Sequence, residues 1–240
     1  MKPLHTIRSH YEPHSMDTKE HLNWLRAAVL GANDGITSVA GLVLGVAGAT
    51  THSGVIFAAG LAGLIAGSIS MASGEYVSVS SARDTEESLM NKERWELAHE
   101  PEKELQELAG IYERKGLKKS TALLVAQELT AHDVFTAHVE AELGMHPEET
   151  VNPWHAALAS ALSFLAGGVI PFIAIIVPPA PLRIPIAFLS VLVALVVTGV
   201  LSGSIGKGYV GKSVVRVVIG GVLAMVVTHV VGKIFGVTGV

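Results

Sequence analysis

Two carboxylates stand where carboxylates are expensive. Asp34 lies inside RAAVLGANDGITSVAGLVLGVAGA and Glu75 inside GVIFAAGLAGLIAGSISMASGEYVSVS, and only Thr50, Thr51, His52 and Ser53 separate the two apolar stretches. An ionisable side chain within a membrane span costs at least ~2.5 kcal/mol on insertion scales, so by default it marks a functional site. Arg26 stands eight residues before Asp34, and Arg83 eight residues after Glu75. If both arginines mark one membrane face, each acid lies ~12 Å beneath it at the helical rise of 1.5 Å per residue. Met71 is four residues before Glu75, on the same helical face and one turn deeper. Each residue also has a plainer use. Asp34, beside Asn33 and Gly35, can cap a helix or serve as a buried structural carboxylate, Glu75 can face the aqueous side of an interface, and Met71 can simply pack.

A second set of acids lies in polar sequence. Glu93 and Glu96 are three apart, as are Glu104 and Glu107, so each pair shares a helical face. A chain reversal at Glu100 and Pro101 would let the pairs meet, and Glu142 from a later helix can approach the same place. Carboxylates packed together repel unless a cation neutralises them. His138, one turn before Glu142, would add an imidazole and tilt the preference from Mg toward Fe, Mn or Zn. The same glutamates also describe a solvated helical face. There are no cysteines, so any metal must be held by oxygen, imidazole or thioether, and no disulfide framework is available. His5, His10, His14 and His21 form a histidine-rich N-terminal arm that can bind metal, although their spacing also fits an ordinary polar tail.

The elements that must position these residues follow from hydropathy. With 240 residues, 50% of them hydrophobic and 16% charged, the chain reads as an all-α integral membrane protein. Sixteen of the 21 acidic residues fall between Asp84 and Glu149, which marks an acidic polar insert within a membrane body. No glycine or proline occurs from Glu75 to Glu100, so the second span can run on into water as a helix. Pro101 ends it or starts the next. Residues 101–115 read as an amphipathic helix with Leu105, Leu108 and Tyr112 on one stripe, closed by Gly116. A further helix is expected from an N-cap at Ser120 to Leu143, stopped by Gly144. Asn152 and Pro153 open the third span. The fourth covers about 184–204 and the fifth about 214–236, giving five spans. Gly31 and Gly35, Gly41 and Gly45, and Gly63 and Gly67 let helices approach closely, within one chain or between two. Fifteen of the 17 lysines and arginines fall on one side if the N-terminus is inside, with only Arg183 and Lys233 opposite. The N-terminus and the insert are therefore expected in the cytoplasm.

The order and spacing of three motifs carry a resemblance. RAAVLGANDGITSVAGLVLGV, then SISMASGEYVSVSSARDTE, then ELAGIYERKGL closely resemble the vacuolar iron transporter family, and the likeness covers nearly the whole chain from about residue 20. The resemblance implies five transmembrane helices, a homodimer with the path between its copies, and export of Fe(II), often also Mn(II), from the cytosol in exchange for protons. It implies that Asp34 and Met71 belong to the membrane metal site. It likewise implies that Glu93, Glu96, Glu104, Glu107 and Glu142 belong to a cytoplasmic three-helix metal-binding domain between spans two and three. Where plant members place a methionine pair before the last glutamate, this chain has His138 and Val139, a change that favours Zn or Mn. No ferritin-like stretch is read in the sequence, so a built-in ferroxidase is not expected.

These readings give an expected organisation of a cytoplasmic arm over 1–22, transmembrane helices over 23–80, a cytoplasmic acidic metal-binding domain over 81–150 and transmembrane helices over 151–240. The expected function is proton-coupled export of Fe(II) and Mn(II) by a homodimer in a prokaryotic inner membrane. No enzyme activity, prosthetic group or nucleic-acid partner is expected, and Zn(II) is a further candidate for the insert. The first 20 residues lack the apolar core of a signal peptide, which makes the first span an uncleaved anchor. A membrane-anchored iron sensor or buffer is the alternative. An intramembrane hydrolase finds no HExxH or paired-aspartate motif to support it.

Overall fold

The longest element follows from what the sequence lacks. With no glycine or proline after Gly74, the second helix runs unbroken from Ser53 to His99, 47 residues or ~70 Å. That is more than twice the ~30 Å hydrocarbon thickness of a bilayer, so only its apolar first half can lie in lipid. The computed structural model describes residues 17–147, 151–205 and 208–238, with side chains over 27–236 of those ranges. Among the described residues there are seven α-helices and no strand: α1 Asp17–Ala49, α2 Ser53–His99, α3 Pro101–Arg114, α4 Lys119–His138, α5 Pro153–Ile176, α6 Arg183–Ile205 and α7 Val210–Thr238. Helices α1, α2, α5, α6 and α7 are each long and apolar enough to cross a membrane. His5, His10 and His14 of the arm expected over 1–22 lie outside the described residues, as does the side chain of His21. From Asp17 onward that arm is already helix.

Helix α1 is the centre of the membrane body and packs against α2, α5, α6 and α7. In lipid the hydrophobic effect gives helices no reason to associate, so close van der Waals contact through small residues must do it. A methyl group at Gly35 would collide with the carbonyl of Phe164 on α5, and one at Gly232 on α7 with the carbonyl of Gly45 on α1. Gly63 and Gly67 are used against Leu42 and the Phe164 ring. All three glycine pairs are therefore occupied within the chain. Ile36, Val39, Val43 and Leu44 of α1 fill the interior with Phe164, Ile175, Leu195 and Met225. At the end away from the insert, Arg183 donates to the Ser53 hydroxyl (2.7 Å) and to the Pro178 carbonyl (3.2 Å), tying the start of α6 to that of α2.

Helices α3 and α4 pack on each other through Leu108, Ala109 and Ala126, with Leu105 and Tyr112 beside them, the stripe expected from periodicity. Gly116 (φ 101°) and Gly144 (φ 65°) are the left-handed stops. Asn152 caps α5, its side-chain oxygen accepting from the Trp154 N–H at 2.9 Å. Three boundaries differ from expectation. Helix α4 starts from Lys118, whose backbone is extended, and Ser120 falls inside the first turn. Helix α7 starts at Val210, because hydropathy marks the apolar part of a helix and passes over the turn carrying Lys212. At Asp133 (φ −155°, ψ 97°) α4 is interrupted and restarts, the Asp133 carboxylate accepting from the Thr136 N–H (3.1 Å) and hydroxyl (2.8 Å). A π-helical turn, Val139–Leu143, follows α4.

Overpacking a tight contact costs about 1–3 kcal/mol. Gly35→Val should therefore abolish recovery of monodisperse protein after detergent extraction. Gly74→Ala meets nothing within 4 Å and should raise the melting temperature slightly through its helix propensity. Size-exclusion chromatography and thermal melts of both variants check this.

Candidate metal centre

Four elements deliver one side chain each. The last turns of α2 bring Glu93, the first turn of α3 brings Glu104, the end of α4 brings His138 and the π-turn brings Glu142. One donor atom from each lies within 4.8 Å of the others. His138 Nδ1 is 3.1 Å from Glu93 Oε1 and 3.6 Å from Glu104 Oε2. The His138 side chain is 0% exposed, Glu93 and Glu104 are buried, and Glu142 stands at the open rim.

Burial at this density demands partners, and the expected ones are missing. Both ring nitrogens of His138 and Glu93 Oε1 have no hydrogen-bond partner among the described residues. Among the described residues no lysine or arginine forms an ion pair with the four, and Lys92 engages Glu96 outside the cluster at 2.9 Å. Buried polar groups in native proteins are nearly always satisfied, and an ion is one of the few explanations for such a group of exceptions. Three carboxylates and one imidazole form an oxygen-rich donor set with one borderline nitrogen, suited to Fe(II), Mn(II) or Zn(II).

Electrostatics point the same way. Burial pushes the Glu93 carboxyl up to about 7, and the charges of Glu142, Glu104, Glu96 and Glu107 add to the effect. Glu104 and Glu142 are raised too, in both cases first by burial and next by the charge of Glu107. Burial holds His138 below its ordinary value, against the opposing pull of Glu107. Without metal, the cluster therefore retains protons that the unfolded chain has released between pH 4.5 and about 7. Stability falls as pH rises across that window. His138 acts in the opposite sense, removing stability as pH falls below 6.5.

Glu96 and Glu107 do not join the four donors. Glu96 is half-buried and paired with Lys92, Glu107 is exposed, and both contribute charge at the rim. The polar halves of α2, α3 and α4 thus gather four of the six insert residues singled out from sequence. The Asp133 break and the π-turn, which orient His138 and Glu142, gave weak signals. An aspartate three residues before a threonine is too common to mark a helix restart, and nothing marked the π-turn.

Within the membrane body, Asp34 and Met71 meet in a cavity of about 200 Å³ between α1, α2 and the Phe164 ring. Asp34 Oδ1 accepts from the Ser38 hydroxyl at 2.7 Å, and Ser38 and Ser70 also line the space. Ser38 was legible as a polar residue one turn from Asp34. Glu75, one turn toward the insert from Met71, is partly buried and does not line this cavity.

A family model described as the VIT family matches residues 25–233. The chain belongs to the VIT family. It is 40% identical over 216 residues to the vacuolar iron transporter of Acanthamoeba castellanii, covering 87% of this chain and 77% of that protein. It is 34% identical over 230 residues to vacuolar iron transporter homolog 2.1 of Arabidopsis thaliana, covering 95% and 89%. Vacuolar iron transporter homolog 1 of Oryza sativa is 37% identical over 218 residues, 90% of this chain and 76% of that one. The match to the VIT family spans the five helices that line the two sites and both connections of the insert.

Glu93→Gln removes a buried charge and a donor at once. At pH 8 it should raise the melting temperature of metal-free protein by about 2–4 °C, the range for roughly 1 kcal/mol in a chain of this size. It should also weaken Mn(II) and Zn(II) binding more than about 100-fold, the upper end for even an outer-shell partner. Thermal melts and isothermal titration at pH 8 and pH 5.5 check both effects, and wild-type metal affinity should be lower at pH 5.5.

Proposed function

We propose that this chain is a proton-coupled divalent metal transporter that moves Fe(II), and Mn(II), out of the cytosol as a homodimer. The observation that carries the reading is the convergence of Glu93, Glu104, His138 and Glu142 on one unpaired, mostly buried donor set. Its Glu93 is on the same unbroken helix whose apolar half brings Met71 to Asp34. The names of the relatives add iron as the cargo. A collecting site in water and a carboxylate–thioether site in lipid, on one rod, are what a metal path needs at its entrance and its middle.

In this reading residues 81–150 form a cytoplasmic metal-binding domain that collects the ion, Zn(II) included, and residues 23–80 with 151–240 form the membrane body. Residues 1–22 are a cytoplasmic arm. Glu96 and Glu107 draw cations to the rim, and Glu75 stands between the insert and the Asp34 cavity as a relay. Ser38 and Leu42 beside Asp34 are exposed, so each copy contributes half a site, and two copies of Asp34 and Met71 would enclose a dehydrated ion. A metal requires these carboxylates deprotonated, so protons and metal compete for the same groups and their fluxes can oppose each other. The lysine and arginine distribution supports a cytosolic N-terminus and insert. The short α1–α2 and α5–α6 connections support a prokaryotic inner membrane.

Reconstituted liposomes, acid inside, test the proposal. Wild-type protein should accumulate Fe(II) and Mn(II), and Asp34→Ala should lower flux to the protein-free rate. Joint Glu104→Gln and Glu107→Gln should leave flux at saturating metal within about twofold and raise the half-saturating concentration about tenfold or more, the loss of at least 1.4 kcal/mol of binding. Equal transport by Asp34→Ala and wild type would remove Asp34 from the path. Metal binding without flux in wild type would make the protein a membrane-anchored buffer.

A further inference from the structure

Where α2 leaves its apolar stretch, it forms one wall of a cavity of about 630 Å³ whose other wall is the start of α5. This space is separate from the four-residue cluster and from the Asp34 cavity, and neither site uses its residues. Its volume lies within the ~300–1,000 Å³ typical of small-molecule sites. Two aromatic rings, Tyr76 of α2 and Trp154 of α5, close one end, their centroids 4.7 Å apart. Trp154 is 69% exposed. Arg83, Asp84 and Glu87 line the other end. From Tyr76 to Glu87 the helix rises ~17 Å, so the charges stand on the polar side of the aromatic pair.

That order has a direction. Tyrosine and tryptophan collect where hydrocarbon meets water, with apolar chains on one side and headgroups on the other. Arg83, Asp84 and Glu87 stand ~10–17 Å along the helix beyond that pair, and long charged side chains reach back along apolar surface toward headgroup level. Arg83, Asp84 and Glu87 make no ion pair among the described residues, so all three are available to a ligand. A guanidinium is the natural partner of a phosphate. Two carboxylates beside it repel a purely anionic headgroup and accept from a primary ammonium, which an adjacent ring face also attracts.

We propose that this cavity binds the headgroup of a zwitterionic phospholipid carrying a primary ammonium, with the phosphate on Arg83 and the ammonium between Asp84 and Glu87. A trimethylated ammonium has no N–H to donate to the carboxylates and binds more weakly. The lipid joins the exit of the insert's first helix to the helix that re-enters the membrane, and so fixes the insert's position against the bilayer. The proposal does not depend on metal transport, because lipid retention is read without any flux.

The test is native mass spectrometry of the detergent-purified full chain with phosphatidylethanolamine, phosphatidylcholine or phosphatidylglycerol of identical acyl chains. Wild type should retain the ethanolamine lipid about tenfold more tightly than the choline lipid, the ratio expected from one charge-assisted hydrogen bond. Arg83→Ala should lower retention of the ethanolamine lipid about tenfold. Joint Asp84→Asn and Glu87→Gln should erase the ethanolamine preference and raise retention of the glycerol lipid. All variants should keep wild-type Mn(II) binding, which reports a folded insert. Equal retention of the three lipids by wild type, or unchanged retention by Arg83→Ala, overturns the proposal. Loss of dimer mass in Arg83→Ala with lipid retention unchanged assigns this face to a second copy and overturns it equally.

Discussion

The rest of the structure depends on the continuity of α2. A helix without glycine or proline over its polar half transmits position as a rod, so the register that sets Met71 against Asp34 also sets Glu93 some 33 Å farther along at 1.5 Å per residue. The two sites are coupled by geometry rather than by contact. Among the described residues α3 and α4 pack on the membrane helices only through α2, so the direction of α2 past its apolar half decides where the acidic cluster sits. A glycine in the polar half would cost about 0.5–1 kcal/mol of helix and, more importantly, would loosen that register.

The cluster itself is unstable in isolation. Three carboxylates and an imidazole are packed without a lysine or arginine among them, and the strain is visible in a Glu93 carboxyl pushed up to about 7. A fold that needed these side chains only for stability would have gained by replacing them with apolar residues of similar size. Keeping them acidic makes sense when a divalent cation supplies the missing charge. The protons they hold in its absence keep the metal-free state from flying apart. On the proposed function, loading would exchange protons for metal near neutral pH, since the Glu93 carboxyl is pushed up to about 7.

Much of this was legible in the sequence. Five spans, the extended second helix, the Leu105–Leu108–Tyr112 stripe, both glycine stops and the Asn152 cap follow from hydropathy, periodicity and cap chemistry, each a local property. Glutamate pairs at three-residue spacing located the cluster because a reversal at Pro101 must fold one helix onto the other. What could not be read was which member of each pair turns inward. Glu93 and Glu104 are buried while Glu96 and Glu107 stay outside, a difference set by how α3 and α4 pack through Leu108 and Ala126. The Asp133 restart escaped because apolar residues continue through it at helical spacing. Depth along a helix placed Glu75 level with Asp34, whereas rotation about the axis decides which residues line a cavity, and there Met71 and Ser70 take the place of Glu75.

His138 stands where the resemblance leads one to expect a methionine, and its surroundings define what an imidazole does there. A thioether brings no proton and little affinity for a hard cation. An imidazole held below its ordinary pKa by burial is neutral over the physiological range, so it offers a lone pair without adding a positive charge that would repel the incoming ion. With Nδ1 facing Glu93 and Glu104, the nitrogen joins the oxygens directly. Magnesium gains little from such a nitrogen and dehydrates reluctantly, while Mn(II), Fe(II) and Zn(II) gain in rising order of affinity for nitrogen. The same neutrality limits the charge at the cluster to what the carboxylates supply. A divalent ion held by the three ionised carboxylates would therefore leave the site with one net negative charge.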